Sequence, residues 1–94
     1  MITIEGKREL IFNADPDEVI KIEYKGYKKF AIFNYSNGDI KVSSTNDFEN
    51  EYFVIPMGSG YMDYIPNPCF YPDRTSDIYI YAINGGSISI TSNS

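Results

Sequence analysis

Strict alternation of apolar and polar side chains is the feature of this 94-residue sequence that most limits what it can fold into. Ile20, Ile22 and Tyr24 alternate with Lys21, Glu23 and Lys25. Ile40 and Val42 alternate with Asp39, Lys41 and Ser43, and Ile88 and Ile90 with Ser87, Ser89 and Thr91. A two-residue period turns one face of an extended strand to a core and the other to water, whereas a helix needs apolar residues every three or four. Residue usage agrees: 14 Ile and three Val stand against one Leu and three Ala, and aromatic residues make up 16% of the chain. β-Branched and aromatic side chains fit a pleated surface; Ala and Leu are what helices use.

Further strands are expected at 30–35, 52–55, 61–65 and 78–83, and another around Leu10 and Phe12. Residues 2–4 are either one more strand or an arm. Turn residues punctuate these runs: Ser36-Asn37-Gly38-Asp39, the Gly58-Ser59-Gly60 loop, and Asn84-Gly85-Gly86, whose glycines supply the positive φ of a tight hairpin returning into 87–91. Asp15-Pro16-Asp17-Glu18 carries the marks of a helix start, but the strand that follows at once reduces it to a turn or one 3₁₀ turn. The expected fold is all-β: a single antiparallel β-sandwich or jelly-roll-like barrel of about seven to eight short strands. It forms one domain over 1–94, with 1–12 as an N-terminal strand or arm and 91–94 as a frayed tail.

Composition removes whole classes of chemistry. Histidine and tryptophan are absent and Cys69 is the only cysteine, so His-based nucleophile systems, His-ligated metal sites and an intrachain disulfide are excluded. Eight basic residues against 13 acidic ones leave a net charge of −5, the wrong balance for neutralising phosphates. Nucleic acid is therefore not an expected partner. No stretch approaches the roughly 20 apolar residues of a membrane-spanning helix, so neither is a membrane. The opening residues lack the basic-then-apolar order of a signal peptide, and synthesis in a bacterial cytoplasm is expected.

The remaining candidates are thin. The acidic run 46–51, and Asp73 with Asp77, offer oxygens for Ca²⁺ but no EF-hand spacing; solvated loops are expected, and no metal or cofactor. Cys69 lacks a neighbour that would activate its thiol and is expected to act as a small hydrophobe. No catalytic residues are assigned and an enzyme is not expected. Tyr61, Tyr64, Phe70 and Tyr71 either stack on a sugar, which makes the chain a receptor- or carbohydrate-binding module, or close the end of the barrel.

Two strands carry more apolar surface than one core requires. In 30–35, Phe30 and Ile32 face one way while Ala31, Phe33 and Tyr35 face the other. In 78–83, Ile78, Ile80 and Ala82 oppose Tyr79, Tyr81 and Ile83. A two-layer domain covers only one face of each sheet, so the second stripe is wet, covered by the chain's own loops, or buried in a subunit contact. Phe33, Tyr35, Tyr79, Tyr81 and Ile83 are the candidate interface residues.

The succession IEYKGYKKFAIFN at 22–34, DIKVS at 39–43, YFVIP at 52–56, DIYIYA at 77–82 and GGSISI at 85–90 resembles small β-sandwich virion proteins of tailed bacteriophages: auxiliary capsid, decoration and head-fibre modules. The resemblance lies in strand spacing and turn residues and covers roughly residues 20–90. The long loop at 66–77 and the polar N-terminal segment depart from it. It implies a non-enzymatic structural protein of the virion. Such a protein decorates or reinforces the capsid surface or anchors a head fibre, with the major capsid protein or other virion proteins as partners and a homo-oligomer, dimer or trimer, as its state.

Overall fold

The computed structural model describes residues 2–5, 8–25, 29–43, 45–64 and 76–93. Among them are nine strands and no helix: β1 (Ile2–Glu5), β2 (Arg8–Ala14), β3 (Glu18–Lys25), β4 (Lys29–Ser36), β5 (Ile40–Ser43), β6 (Phe53–Ile55), β7 (Gly60–Tyr64), β8 (Ser76–Ala82) and β9 (Gly86–Asn93). They form two packed sheets, one of five strands ordered β1-β3-β8-β5-β6 and one of four ordered β2-β9-β4-β7. The expected all-β sandwich is therefore the fold. Residues 2–5 make a strand, and it is the one parallel member, aligned Ile2 with Ile22 through Glu5 with Lys25; the other pairs are antiparallel.

The alternating isoleucines meet between the sheets. Ile20, Ile22, Ile40, Val42, Ile55, Ile78, Ile80 and Ala82 from the five-stranded sheet face Phe30, Ile32, Ile88 and Ile90 from the four-stranded one, all buried. Burial of this kind stabilises a core by roughly 1.5–3 kcal/mol per large apolar side chain.

Two expectations are corrected. The segment after residue 90 does not fray before Asn93: Thr91 and Ser92 continue β9 between β2 and β4, where Ser92 pairs with Arg8 on one side and Phe30 on the other. A strand held on both sides has its backbone hydrogen bonds satisfied. Nor does Asn84-Gly85-Gly86 make a hairpin, because β8 and β9 lie in different sheets. Gly85 and Gly86 do have positive φ, 71° and 116°, but the turn arches the chain across the sandwich. A Cβ on Gly85 would stand 2.8 Å from the Ala14 carbonyl oxygen, and one on Gly86 2.8 Å from Ser36 Cα, so neither position admits a side chain.

The same holds almost throughout. Consecutive strands alternate between the sheets, and only β5 and β6 are sequence neighbours paired side by side. Four of the crossings, at 15–17, 37–39, 56–59 and 83–85, gather at one pole. There Asp17 N–H donates to the carbonyls of Ala82 and Ile83, Asn37 N–H to Gly85 O, and Gly58 N–H to Asn34 O. The turn at 15–17 has Pro16 at its second position and Asp17 at φ 63°, closed by Glu18 N–H on Asp15 O, the pattern of a type II turn.

Asn34 is the buried hub of this pole. Fully inaccessible on the inner face of β4, its Nδ2 donates to Gly38 O and to Ile55 O, both at 2.9 Å. Its Oδ1 accepts the Ser36 N–H at 2.9 Å and lies against the Ser36 hydroxyl. One side chain thus joins the 37–39 turn to β6 of the opposite sheet. Replacing it with alanine takes a donor from the Ile55 carbonyl and the acceptor from the Ser36 N–H, and leaves Gly38 O to the Ser36 hydroxyl alone. We expect Asn34→Ala to lower stability by about 3 kcal/mol. Urea unfolding with an unchanged slope checks this, and a loss under about 1 kcal/mol would remove Asn34 from its central place.

Candidate functional site

The two outward stripes lie on opposite sides of the molecule. Phe33 and Tyr35 are on β4 in the four-stranded sheet; Tyr79 and Tyr81 are on β8 in the five-stranded sheet, and Ile83 follows in the turn. The five candidate interface residues therefore do not form one surface, since outer faces of a sandwich point away from each other.

On the five-stranded sheet the loop after β5 covers the middle of the outward stripe, while Val19 of β3 and Val54 of β6 stay exposed in the same row. Ser43, outward beside Tyr79 yet buried, accepts N–H bonds from Thr45 and Asp47 through Oγ at 3.1 and 3.2 Å, which bends the loop after β5 back over the face. This brings the Phe48 ring edge-on to Tyr81, centroids 5.5 Å apart. Lys41 lies over the Tyr52 ring at 4.5 Å and donates from Nζ to Phe48 O at 3.3 Å. Lys21 reaches both the Tyr79 ring, at 5.9 Å, and Asp77, at 3.5 Å. The acidic run itself is tied up locally: Asp47 Oδ1 accepts N–H bonds from Glu49 and Asn50, both 3.0 Å, and these bonds hold its carboxyl below the usual carboxylate range. Among the described residues no three acidic or cysteine side chains are placed to hold a metal ion. Asp73 and Cys69 lie outside the described residues.

The four-stranded sheet presents a different face. Register places Ile11 of β2, Ser89 of β9, Phe33 of β4 and Gly60 of β7 in one row across it. The next rows bring Asn13, Ser87 and Tyr35 on one side and Glu9, Thr91, Ala31 and Met62 on the other. Ile11 is 63% exposed, Phe33 39%, Tyr35 61% and Met62 58%. Ser89, small between Ile11 and Phe33, is buried although it faces outward. The Phe33 and Tyr35 rings stack at 6.2 Å. The Phe33 ring also lies across Gly60, where a Cβ would meet its Cδ1 at 2.5 Å, so the glycine and the ring are matched. A shallow depression lined by Phe33, Gly60, Tyr61 and Met62 borders the patch.

Ile11 and Met62 were not among the sequence candidates. A signal for Ile11 existed: Leu10-Ile11-Phe12 is three apolar residues in a row, and in a strand the middle one must face away from the other two. Met62 carried none, because only the pairing of β7 with β4 brings it beside Ala31.

Of the candidate sugar-stacking residues, Tyr61 is half-buried and turned inward. Its ring is 4.4 Å from Phe53 of the opposite sheet and 6.0 Å from Phe30, closing the edge of the sandwich where β6 and β7 meet. Its ring faces are engaged in packing. The Tyr64 side chain, Phe70 and Tyr71 lie outside the described residues.

No family model matches this chain, and no curated protein matches it. Among solved structures it is similar to a de novo designed double-stranded β-helix, with a TM-score of 0.66 and 11% identity over 92% of this chain and 99% of that one. It is also similar to the pre-peptidase C-terminal domain of a collagenase from Bacillus anthracis, with a TM-score of 0.55 and 9% identity over 98% and 93%. Neither is a phage protein, and at these identities the likeness is one of fold alone.

Tyr81 gives the covered face a titratable marker. Its hydroxyl donates to Asp17 Oδ1 at 2.9 Å, and that hydrogen bond, with the carboxylate's charge, raises its pKa above the ordinary tyrosine value. Stabilisation from this pair is complete below the unfolded tyrosine pKa and is lost as pH rises through the higher folded value. An alkaline absorbance titration of the protein minus that of Tyr81→Phe is expected to show one late-ionising tyrosine. Asp17→Asn moves that component down to the ordinary range. A component that titrates normally in both proteins would show that the Asp17 contact does not hold the proton.

Proposed function

We propose that this chain is a non-enzymatic structural protein of a tailed-phage virion, which docks on the capsid surface or a head fibre through the outer face of its four-stranded sheet. The observation that carries the docking reading is the patch of Ile11, Phe33, Tyr35 and Met62, four large apolar side chains left in water on one face of a small domain, while the opposite face is covered at its middle by the Phe48 loop and leaves Val19 and Val54 exposed. Apolar groups gathered on a sheet, with Glu9, Asn13 and Thr91 beside them, form the kind of surface that protein contacts use. The rings of Phe33 and Tyr35 are already stacked and so lose little freedom on binding. The virion assignment rests on the strand and turn pattern of residues 20–90. Acting as reinforcement, repeated copies bury this face against capsid subunits or against one another, and the stability gained follows from the linkage between binding and folding. A closed dimer or trimer is the expected self-assembled state.

Light scattering after size exclusion tests the docking face. A discrete dimer or trimer is expected, and Phe33→Ser with Tyr35→Ser is expected to return it to monomer with an unchanged far-ultraviolet spectrum. An oligomer that survives this pair of changes would exclude the face. For the virion assignment, antibody against the chain is expected to label phage heads in many copies. Label confined to a few copies at the tail tip would overturn it in favour of receptor binding.

A further inference from the structure

The chain holds two Asn-Gly sequences, Asn37-Gly38 and Asn84-Gly85, and the fold brings both to the same pole. Such pairs can deamidate because glycine leaves its own backbone nitrogen open to attack on the preceding side chain. The fold treats the two differently. Gly85 is buried, and its N–H donates to Ala82 O at 3.3 Å. Both asparagines are exposed, and each amide rests against a glycine of the other turn, Asn84 over Gly38 and Asn37 beside Gly86, so the difference lies in the glycine N–H groups. Asn37 is exposed and Gly38 half-exposed; among the described residues the Gly38 N–H has no acceptor, while Gly38 O accepts from Asn34 and Ser36. The Asn37 backbone is fixed by its own N–H on Gly85 O.

We propose that Asn37 is a site of spontaneous modification, in which water converts the folded chain at this turn to aspartate and isoaspartate while Asn84 is protected. The Gly38 nitrogen, giving its proton to solvent, attacks Asn37 Cγ. The N–Cγ bond forms, the Cγ–Nδ2 bond breaks, and ammonia leaves with a proton from solvent to give a succinimide. Water then opens the ring at either carbonyl, so one amide becomes one acid and no electrons are exchanged. Opening to isoaspartate inserts a methylene into the backbone between residues 37 and 38. That displaces the Gly38 carbonyl, which is the acceptor for the buried Asn34 amide. Modification at an exposed turn therefore reaches the hub inside the sandwich.

Ageing the folded protein in mildly alkaline buffer at physiological temperature, with peptide mapping against time, tests this. Asn37 is expected to react on the order of tenfold faster than Asn84, the factor set by one hydrogen bond that Gly85 must break and Gly38 need not. In urea the two sites are expected to react alike. The aged protein is expected to melt at a lower temperature, and an Asn37→Ser variant to keep its melting temperature through the same treatment. Equal rates at the two sites in the folded protein, faster reaction at Asn84, or reaction at both only in urea would each overturn the proposal.

Discussion

A buried side-chain amide holds this sandwich together where its chain changes sheets. Asn34 spends both its N–H donors on carbonyls from other elements, Gly38 of the neighbouring turn and Ile55 of the opposite sheet, and its oxygen on Ser36. In an interior of isoleucine such an amide is tolerated only when every group is satisfied, and once satisfied it admits one arrangement of its partners. The apolar core supplies the driving force for two sheets to meet, but isoleucine against isoleucine is indifferent to small slips. Asn34 is not, because its acceptors are fixed atoms, one in a turn tied to the same pole and one on a strand of the opposite sheet.

That role was not legible in the sequence, although much of the fold was. The alternation at 20–24, 39–43 and 87–91 names the strands and their inner faces without ambiguity, because a side chain one residue out of phase would put lysine or serine in the core. The opposed stripes of 30–35 and 78–83 fall as the spacing requires. What the period cannot carry is which strand lies beside which. Asn84-Gly85-Gly86 has the residues of a hairpin, and the positive φ angles are there, yet the chain uses them to arch between sheets. A tight turn and a tight arch ask the same of glycine; the difference lies in where the next strand finds its partners, and those are supplied by β2 and β4. Asn34 reads in the sequence as the polar end of a strand for the same reason: its acceptors come from residues 38 and 55, and only the fold brings them near.

The candidate site was legible by half. Spacing identifies Phe33 and Tyr35 as outward, but joins them to Tyr79, Tyr81 and Ile83, from which the thickness of the molecule divides them. It also leaves out Ile11 and Met62, which belong with Phe33 by register. Phe48 completes the contrast: in the sequence it interrupts an acidic run, and in the fold it is the ring that lies against Tyr81.

Which face stays open follows from how the chain winds. Where successive strands alternate between sheets, the arches at the described pole are spent in crossing from one layer to the other, short and locked to one another. A connection that remains within one sheet has residues to spare. Among the described strands the one such connection joins β5 and β6, both in the five-stranded sheet, and its loop folds back onto that sheet through Ser43 and Phe48. The four-stranded sheet has no two sequence-adjacent strands and hence no loop of this kind. Its Ile11, Phe33, Tyr35 and Met62 are exposed, and a cover for them must come from outside the described strands and turns.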